Sequence, residues 1–210
     1  MWAVSPMMMA ASAEPITFIG AGSVANGAAI APTNHGAQAS DLILVCCPHE
    51  SYSGGTTNFT LGGSGWSYTG YSWSAQEYRA RFAWKALSDI NDITTSNNNF
   101  GAFYAIYRGP TTAAIIVNQD VFSATTHTAS FPIKNAACVA LAVFGHQQNP
   151  VANLNPPTAW TDRFHAYMVS VFASDILENF TPPEGAHSAA FTGTAGDGNG
   201  HHLIGVELRA

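Results

Sequence analysis

The chain has 210 residues, enough to bury a substantial core as one large β domain or two small ones. Hydrophobic residues make up 47% of it and charged ones only 10%, which excludes a disordered tail. Seven Lys and Arg against thirteen Asp and Glu leave a net charge of −6, so the basic footprint of a nucleic-acid-binding protein is absent. No apolar run approaches the ~18 residues of a membrane-spanning helix.

In chain order, Met1–Pro15 reads as an N-terminal arm and residues 16–210 as one domain. Ala11-Ser12-Ala13 has the form of a signal-peptidase site, but no Lys or Arg precedes Met7-Met8-Met9, and Pro6 interrupts the run upstream. The expectation is an assembly arm. Methionine is adaptable at contacts, so Met7, Met8 and Met9 are the candidate contact residues with a neighbouring subunit.

Past the arm, short runs rich in Val, Ile, Phe and Tyr alternate with clusters of Gly, Asn, Ser and Pro. Strands are predicted at Ile16–Ile19, Val24–Ile30, Leu42–Cys47, Tyr78–Leu87, Ala102–Arg108, Ala114–Val117, Ala137–Phe144, Phe164–Phe172, Ala189–Thr192 and Leu203–Leu208. The clearest alternation is Tyr78 to Ala86. Tyr78, Ala80, Phe82, Trp84 and Ala86 share one face, and Arg79, Arg81 and Lys85 share the other. Phe82 and Trp84 are expected to be buried, with Arg79 and Lys85 in solvent. Helical turns are predicted only at Ala86–Ile93 and Ala173–Glu178. The pattern predicts an all-β fold, a single β-sandwich of jelly-roll type behind a short arm.

Cys46 and Cys47 are adjacent, so in a strand they point to opposite faces and a disulfide between them is strained. Cys138 lies in a separate apolar run. All three are expected to be buried free thiols, as in a reducing compartment.

The eight histidines invite a metal or catalytic role. His201-His202 follows Asp197-Gly198-Asn199-Gly200, but the spacing matches neither an EF-hand loop nor a zinc site. His35, His127, His146, His165 and His187 are single and widely separated, and read as surface or interface residues. No paired carboxylates or G-x-S-x-G motif can be identified. Glu77 and Asp162 lie near aromatics without a partner in sequence, and Asp41 reads as a turn residue. Neither a cofactor nor a metal is expected, and the chain is read as a non-enzyme.

Trp66-Ser67-Tyr68-Thr69-Gly70-Tyr71-Ser72-Trp73 places four aromatics among small polar residues. Such a composition suits a stacking platform for a glycan or a protein. It equally suits a plug in the sandwich or a subunit interface. Trp66, Tyr68, Tyr71 and Trp73 are the candidate ligand-binding residues.

Several landmarks together resemble a family. Asp41-Leu42-Ile43-Leu44-Val45 is similar to the "GDLLLL" strand of β-sandwich proteins encoded by tailed bacteriophages and prophages, with Ser40 in place of the glycine. Gly65-Trp66 stands where those proteins carry "GW", and Tyr78 to Ala86 resembles their next strand. Tyr104-Ala105-Ile106-Tyr107-Arg108-Gly109 is similar to their "YRG" strand, and Ile204 to Leu208 to the closing one. The resemblance spans residues 16 to 209 and its motifs are architectural. It implies a structural virion protein of the tail, tail fibre or adsorption apparatus, with capsid decoration or a head spike as the alternative. The implied partners are other virion proteins and copies of itself, in a homo-oligomer such as a trimer, assembled in the bacterial cytoplasm. Two other readings remain open: a module binding a host surface glycan through the aromatic segment, and an enzyme cleaving such a glycan. Nucleic acid and membrane insertion are not expected.

Overall fold

The computed structural model describes residues 15–25, 27–50, 59–68, 72–73, 78–96, 101–122, 126–133, 138–145, 154–155, 158–168, 172–179, 185–193 and 200–209. The arm, with Met7, Met8 and Met9, lies outside them, as do Tyr71, Asp197 and Asn199. The fold is all-β. Its strands in chain order are β1 (Thr17–Val24), β2 (Leu42–Glu50), β3 (Thr60–Leu61), β4 (Ser67–Tyr68), β5 (Ser72–Trp73), β6 (Tyr78–Ala86), β7 (Thr95–Ser96) and β8 (Ala102–Arg108). They continue with β9 (Thr112–Phe122), β10 (Thr126–Ile133), β11 (Cys138–Gly145), β12 (Leu154–Asn155), β13 (Thr161–Met168), β14 (Phe172–Asn179), β15 (Gly185–Gly193) and β16 (Gly200–Arg209). A 3-10 turn, Pro32–His35, interrupts the first loop.

The first sheet has the order β1-β8-β2-β6-β4, with β5 also on β6, and every pairing in it is antiparallel. Its central strands are apolar on both faces, and both faces are covered. Leu42, Leu44 and Cys46 enter one buried cluster with Phe82, Phe103, Ala105 and Tyr107. Ile43, Val45 and Cys47 enter a second with Ala83, Ala102, Tyr104 and Ile106. The continuous run Leu-Ile-Leu-Val-Cys-Cys is what such a strand requires, because alternate residues face opposite layers.

The first cluster is completed by a second sheet, of order β13-β14-β11-β16-β9, through Ala113, Ile204, Val206 and Leu208. The second cluster is completed by connecting segments, through Ile30, Ala37, Phe59, Leu61, Leu87 and Ile93. These loops are tied together by backbone bonds. Ile30 and Ile93 exchange N–H···O bonds of 2.9 and 2.8 Å, and the Gly62 N–H donates to the Thr94 carbonyl at 2.9 Å.

The chain from Thr112 to Arg209 forms nested antiparallel pairs. β9 pairs with β16, β10 with β15 and β11 with β14, so each later strand meets a progressively earlier partner. β11 also pairs with β16, Cys138 lying beside Glu207 and Phe144 beside His201. Phe122 lies opposite Gly200, at the far end of β16 from Glu207. The β10–β15 ribbon therefore runs back along the second sheet before β11 begins.

Several predicted boundaries move. Val24–Ile30 is not a strand; β1 instead continues through Gly20-Ala21-Gly22 to Val24, and Ile30 makes only an isolated bridge to Ile93. Ala86–Ile93 is not helical, and Ala173–Glu178 lies within β14. The apolar residues of that segment serve cross-strand pairing with β11 and β13, a use its short length cannot announce. The strand at Tyr78–Ala86 is present as read, and Phe82 is fully buried. Its environment differs from the expectation: Trp84 and Lys85 are both only half-buried. The basic face of β6 meets the loop layer rather than open water, as the complete burial of Ala83 on that face records.

Cys46 and Cys47 are buried free thiols, and the Cys47 Sγ–H donates to the Gly101 carbonyl at 3.3 Å. Burial pushes both thiols up from their ordinary range, and the neighbouring Cys47 adds to the effect on Cys46. A raised thiol supports the folded state fully below about pH 8.5, and that support is lost as the pH climbs beyond the unfolded value. Native protein at pH 8 is therefore expected to leave both thiols unlabelled by a soluble disulfide reagent, while denatured protein titrates as three thiols. Rapid native labelling of Cys46 or Cys47 would contradict this burial.

Candidate functional site

Two clusters of polar and aromatic side chains lie on the loop-covered side of the first sheet. One is built on β1 and β8. The His35 Nε2 and the Tyr104 hydroxyl lie 2.9 Å apart, and their rings meet edge to face with centroids 5.6 Å apart. Glycine permits this approach: a Cβ at Gly20 would lie 2.5 Å from His35 Nδ1, and one at Gly22 2.7 Å from the Tyr104 oxygen. Burial raises the Tyr104 hydroxyl above its ordinary pKa. His35, read from sequence as a surface or interface residue, is half-buried and hydrogen-bonded to Tyr104 within the chain.

Next to it, Asp41 closes the loop that leads into β2. Its carboxylate is 2% exposed. Arg108 Nε and Nη2 donate to its two oxygens at 2.9 Å each, and the Gln38 N–H donates to Oδ2 at 2.8 Å. The hydrogen bond to Asp41 holds the Arg108 guanidinium more firmly in its charged form. Asp41 is a turn residue, as read, and also the anchor of the final residue of β8. The preceding Ser40 has a φ of 75°. That left-handed conformation costs an L-residue about 1–2 kcal/mol, partly offset in glycine by its larger unfolded entropy. Because Ser40 is exposed, Ser40→Gly loses no packing and is expected to raise stability by about 0.5–1 kcal/mol. Thermal unfolding should shift upward by about 2–3 °C; a downward shift would contradict the strain.

The other cluster brings together half of the aromatic segment with the basic face of β6. Gly63 and Gly65 turn the chain with φ of 82° and 83°, which sets Trp66 and Tyr68 down beside that strand. The Arg81 guanidinium carbon lies 4.1 Å from the Tyr68 ring centroid, and the Lys85 ammonium 4.9 Å from that of Trp66. Both rings are fixed by hydrogen bonds. Trp66 Nε1–H donates to the Gly62 carbonyl at 3.0 Å, and the Leu61 N–H donates to the Tyr68 hydroxyl at 3.2 Å. Arg81 Nη1 in turn donates to the Phe59 carbonyl at 2.7 Å. Trp66 and Tyr68 are half-buried and pack against the second hydrophobic cluster.

The other candidate residues divide as follows. Trp73 lies in β5 directly opposite Arg79 of β6, so register carries the aromatic–basic pairing one step further along the strand. Tyr71 and the methionines of the arm lie outside the described residues. His202 sits in register between Asp120 and Val143. Among the described residues, no group of three or more His, Cys, Asp or Glu is placed to hold a metal ion. The sequence reading missed the partners of the aromatics: Lys85 is expected there in solvent and Arg81 is placed only on the same strand face, although their spacing on β6 already sets them in one row. No helix among the described residues is long and apolar enough to cross a membrane. No family model, curated protein or solved structure matches the chain.

Proposed function

We propose that this chain is a jelly-roll β-sandwich serving as a non-enzymatic structural protein of a bacteriophage virion, in the tail or its adsorption fibre. The observation that supports it most is the nested ribbon from Thr112 to Arg209. Its sheet orders, β13-β14-β11-β16-β9 and β10-β15-β12, support the reading of a double-wound ribbon, an architecture used by viral capsid and lectin domains. Architecture alone does not carry function. The virion role rests on the strand motifs at Asp41, Trp66, Tyr104 and Ile204, which resemble those of phage sandwich proteins in the same order. A first sheet covered on both faces and a chain with few charges suit a rigid subunit repeated in an assembly, with copies of itself and other virion proteins as partners.

Gold-labelled antibody against the purified chain, applied to intact particles released from the bacterium that carries the gene, tests this placement. Label on the tail or its fibres is expected. Label over the head would move the protein to a capsid decoration or spike, and unlabelled particles would remove the virion role. The arm has a separate test. Deleting residues 1–14 is expected to leave the melting temperature unchanged while preventing incorporation into particles, because an apolar arm gains most by burial against a partner. Normal incorporation of the truncated chain would refute the arm's role.

A further inference from the structure

We propose that the open edge of β1 pairs with the same edge of a second copy, antiparallel and about a two-fold axis at Gly22, so that two first sheets join into one. The inference deepens the reading of copies of itself as partners, and rests on that reading only for its place in an assembly. Among the described residues β1 is bonded along one side, to β8, and no backbone bond from a loop reaches Thr17–Val24. An edge of this kind offers its outward N–H and C=O groups as a template for another strand.

The edges of the described sheets differ in how they are guarded. β3, β4, β5, β7 and β12 are two residues long. β13 carries Asp162 and Arg163, β9 carries Asp120 and β10 carries Pro132. Short strands, charges and proline all oppose edge-to-edge association. β1 has none of these in the eight residues Thr-Phe-Ile-Gly-Ala-Gly-Ser-Val. Its irregularity is a register shift between Phe18 and Gly20, at the end where the Arg163 guanidinium carbon lies 5.1 Å from the Phe18 ring centroid. The stretch from Gly20 to Val24 stays in regular register, and it is the part that pairs.

The composition selects a second copy as the occupant. Self-pairing sets each side chain near its own counterpart, so any charge close to the axis would meet a like charge. Here there is none. With Gly22 opposite Gly22, Ala21 lies opposite Ser23 and Gly20 opposite Val24, and no long side chain flanks the axis. Ile16, Phe18, Ile19, Ala21 and Val24 are only half-buried in one chain, so pairing takes further apolar surface out of water. The first fourteen residues point the same way. They join β1 at Pro15, and the antiparallel register brings that point to the second copy's turn, where the exposed Ala28 donates its N–H to the Ala25 carbonyl at 3.1 Å. The arm thus leaves its own subunit across the other. Five paired residues bury far less than the ~800 Å² per partner of a standard interface, so the pair is weak in solution and gains by repetition in an assembly.

The test is sedimentation of the full chain from about 1 µM to about 1 mM, the range in which interfaces below standard size associate. A reversible monomer–dimer equilibrium is expected. A nitroxide on Ser23→Cys reports the contact locally, because the two positions lie diagonally across the axis, about 7–8 Å apart. The labelled dimer should give a broadened spectrum that sharpens when unlabelled chain is mixed in, with the unaltered chain taken through the same labelling as background. Ser23→Lys sets two cations on that diagonal at an exposed position and should weaken the dimer about fivefold, less at high salt. Ser88→Lys adds the same charge at an exposed position beyond β8, β2 and β6 and should leave association unchanged. The melting temperature of each variant separates lost pairing from lost folding. A chain monomeric throughout, a dimer whose labels do not broaden, or full dimerisation of a folded Ser23→Lys overturns the proposal. A monomer with gold label still on the tail removes the edge pairing alone, whereas unlabelled particles beside a broadened dimer remove the virion role and leave the pairing.

Discussion

Phe82→Ala is expected to cost about 3–5 kcal/mol, the range for truncating a fully buried phenylalanine, and to lower the melting temperature by roughly 10 °C. The reason lies in what the ring joins. Phe82 belongs to the cluster shared by both sheets, with Leu44, Phe103 and Tyr107 on one side and Ile204, Val206 and Leu208 on the other. Its ring lies 5.6 Å from that of Trp84, tilted by 33°. Truncation leaves a void between two sheets that are each held rigid by their own hydrogen bonds, so little collapse can fill it. Trp84→Ala should cost less, despite the larger side chain, because Trp84 is only half-buried. Equilibrium denaturation of the two variants in parallel decides the order. A larger loss for Trp84→Ala would mean that the shared core is not centred on Phe82.

Asp41→Ala is expected to be nearly as severe, at about 2–3 kcal/mol, through a different term. The carboxylate is buried and accepts three hydrogen bonds, two of them from a guanidinium. Its removal leaves the part-buried Gln38 N–H without its acceptor, at a cost toward the lower end of the about 1–3 kcal/mol of a fully buried donor, and also opens a void where the buried carboxylate stood. Arg108 loses less, because its side chain is 40% exposed and water can replace the lost partner. Asp41→Asn keeps an acceptor for Gln38 and should fall between Ala and the unaltered chain. Denaturant midpoints for the three proteins give the ranking. An Asn variant as unstable as Ala would show that the charge, rather than the acceptor, carries the effect.

Legibility in the sequence followed burial. Where one strand serves two buried layers, as in β2, a continuous apolar run announced it, and β8 was equally plain in Ala-Phe-Tyr-Ala-Ile-Tyr. β6 announced its own alternation, but the alternation was ambiguous about the second face. Arg79, Arg81 and Lys85 look like a solvated row unless it is known that a loop layer lies over them. β10 was missed because Thr126 to Ile133 is weakly apolar and contains Pro132, and its partner β15 is remote in sequence. The loop layer was invisible for the same reason. Ile30, Phe59 and Ile93 come from three separate connections and meet only in space. For the candidate site, the aromatic residues were evident from composition, whereas their cations lay more than ten residues away and were joined to them only by strand pairing.

The nested pairing of the second half has a consequence for synthesis on the ribosome. β9 precedes its partner β16 by some eighty residues, so Ile204, Val206 and Leu208 are made long after the strands they cover. A chain halted before residue 200 lacks the strand that covers Leu42, Leu44, Phe82 and Phe103. The inner face of the first sheet, already able to pair, then stands open to water and to other nascent chains. Closing pairs so distant along the chain is slow, because the loop between them must be ordered before any contact repays it. Each newly made chain therefore passes through an interval in which its most apolar surface is uncovered and open to misassociation.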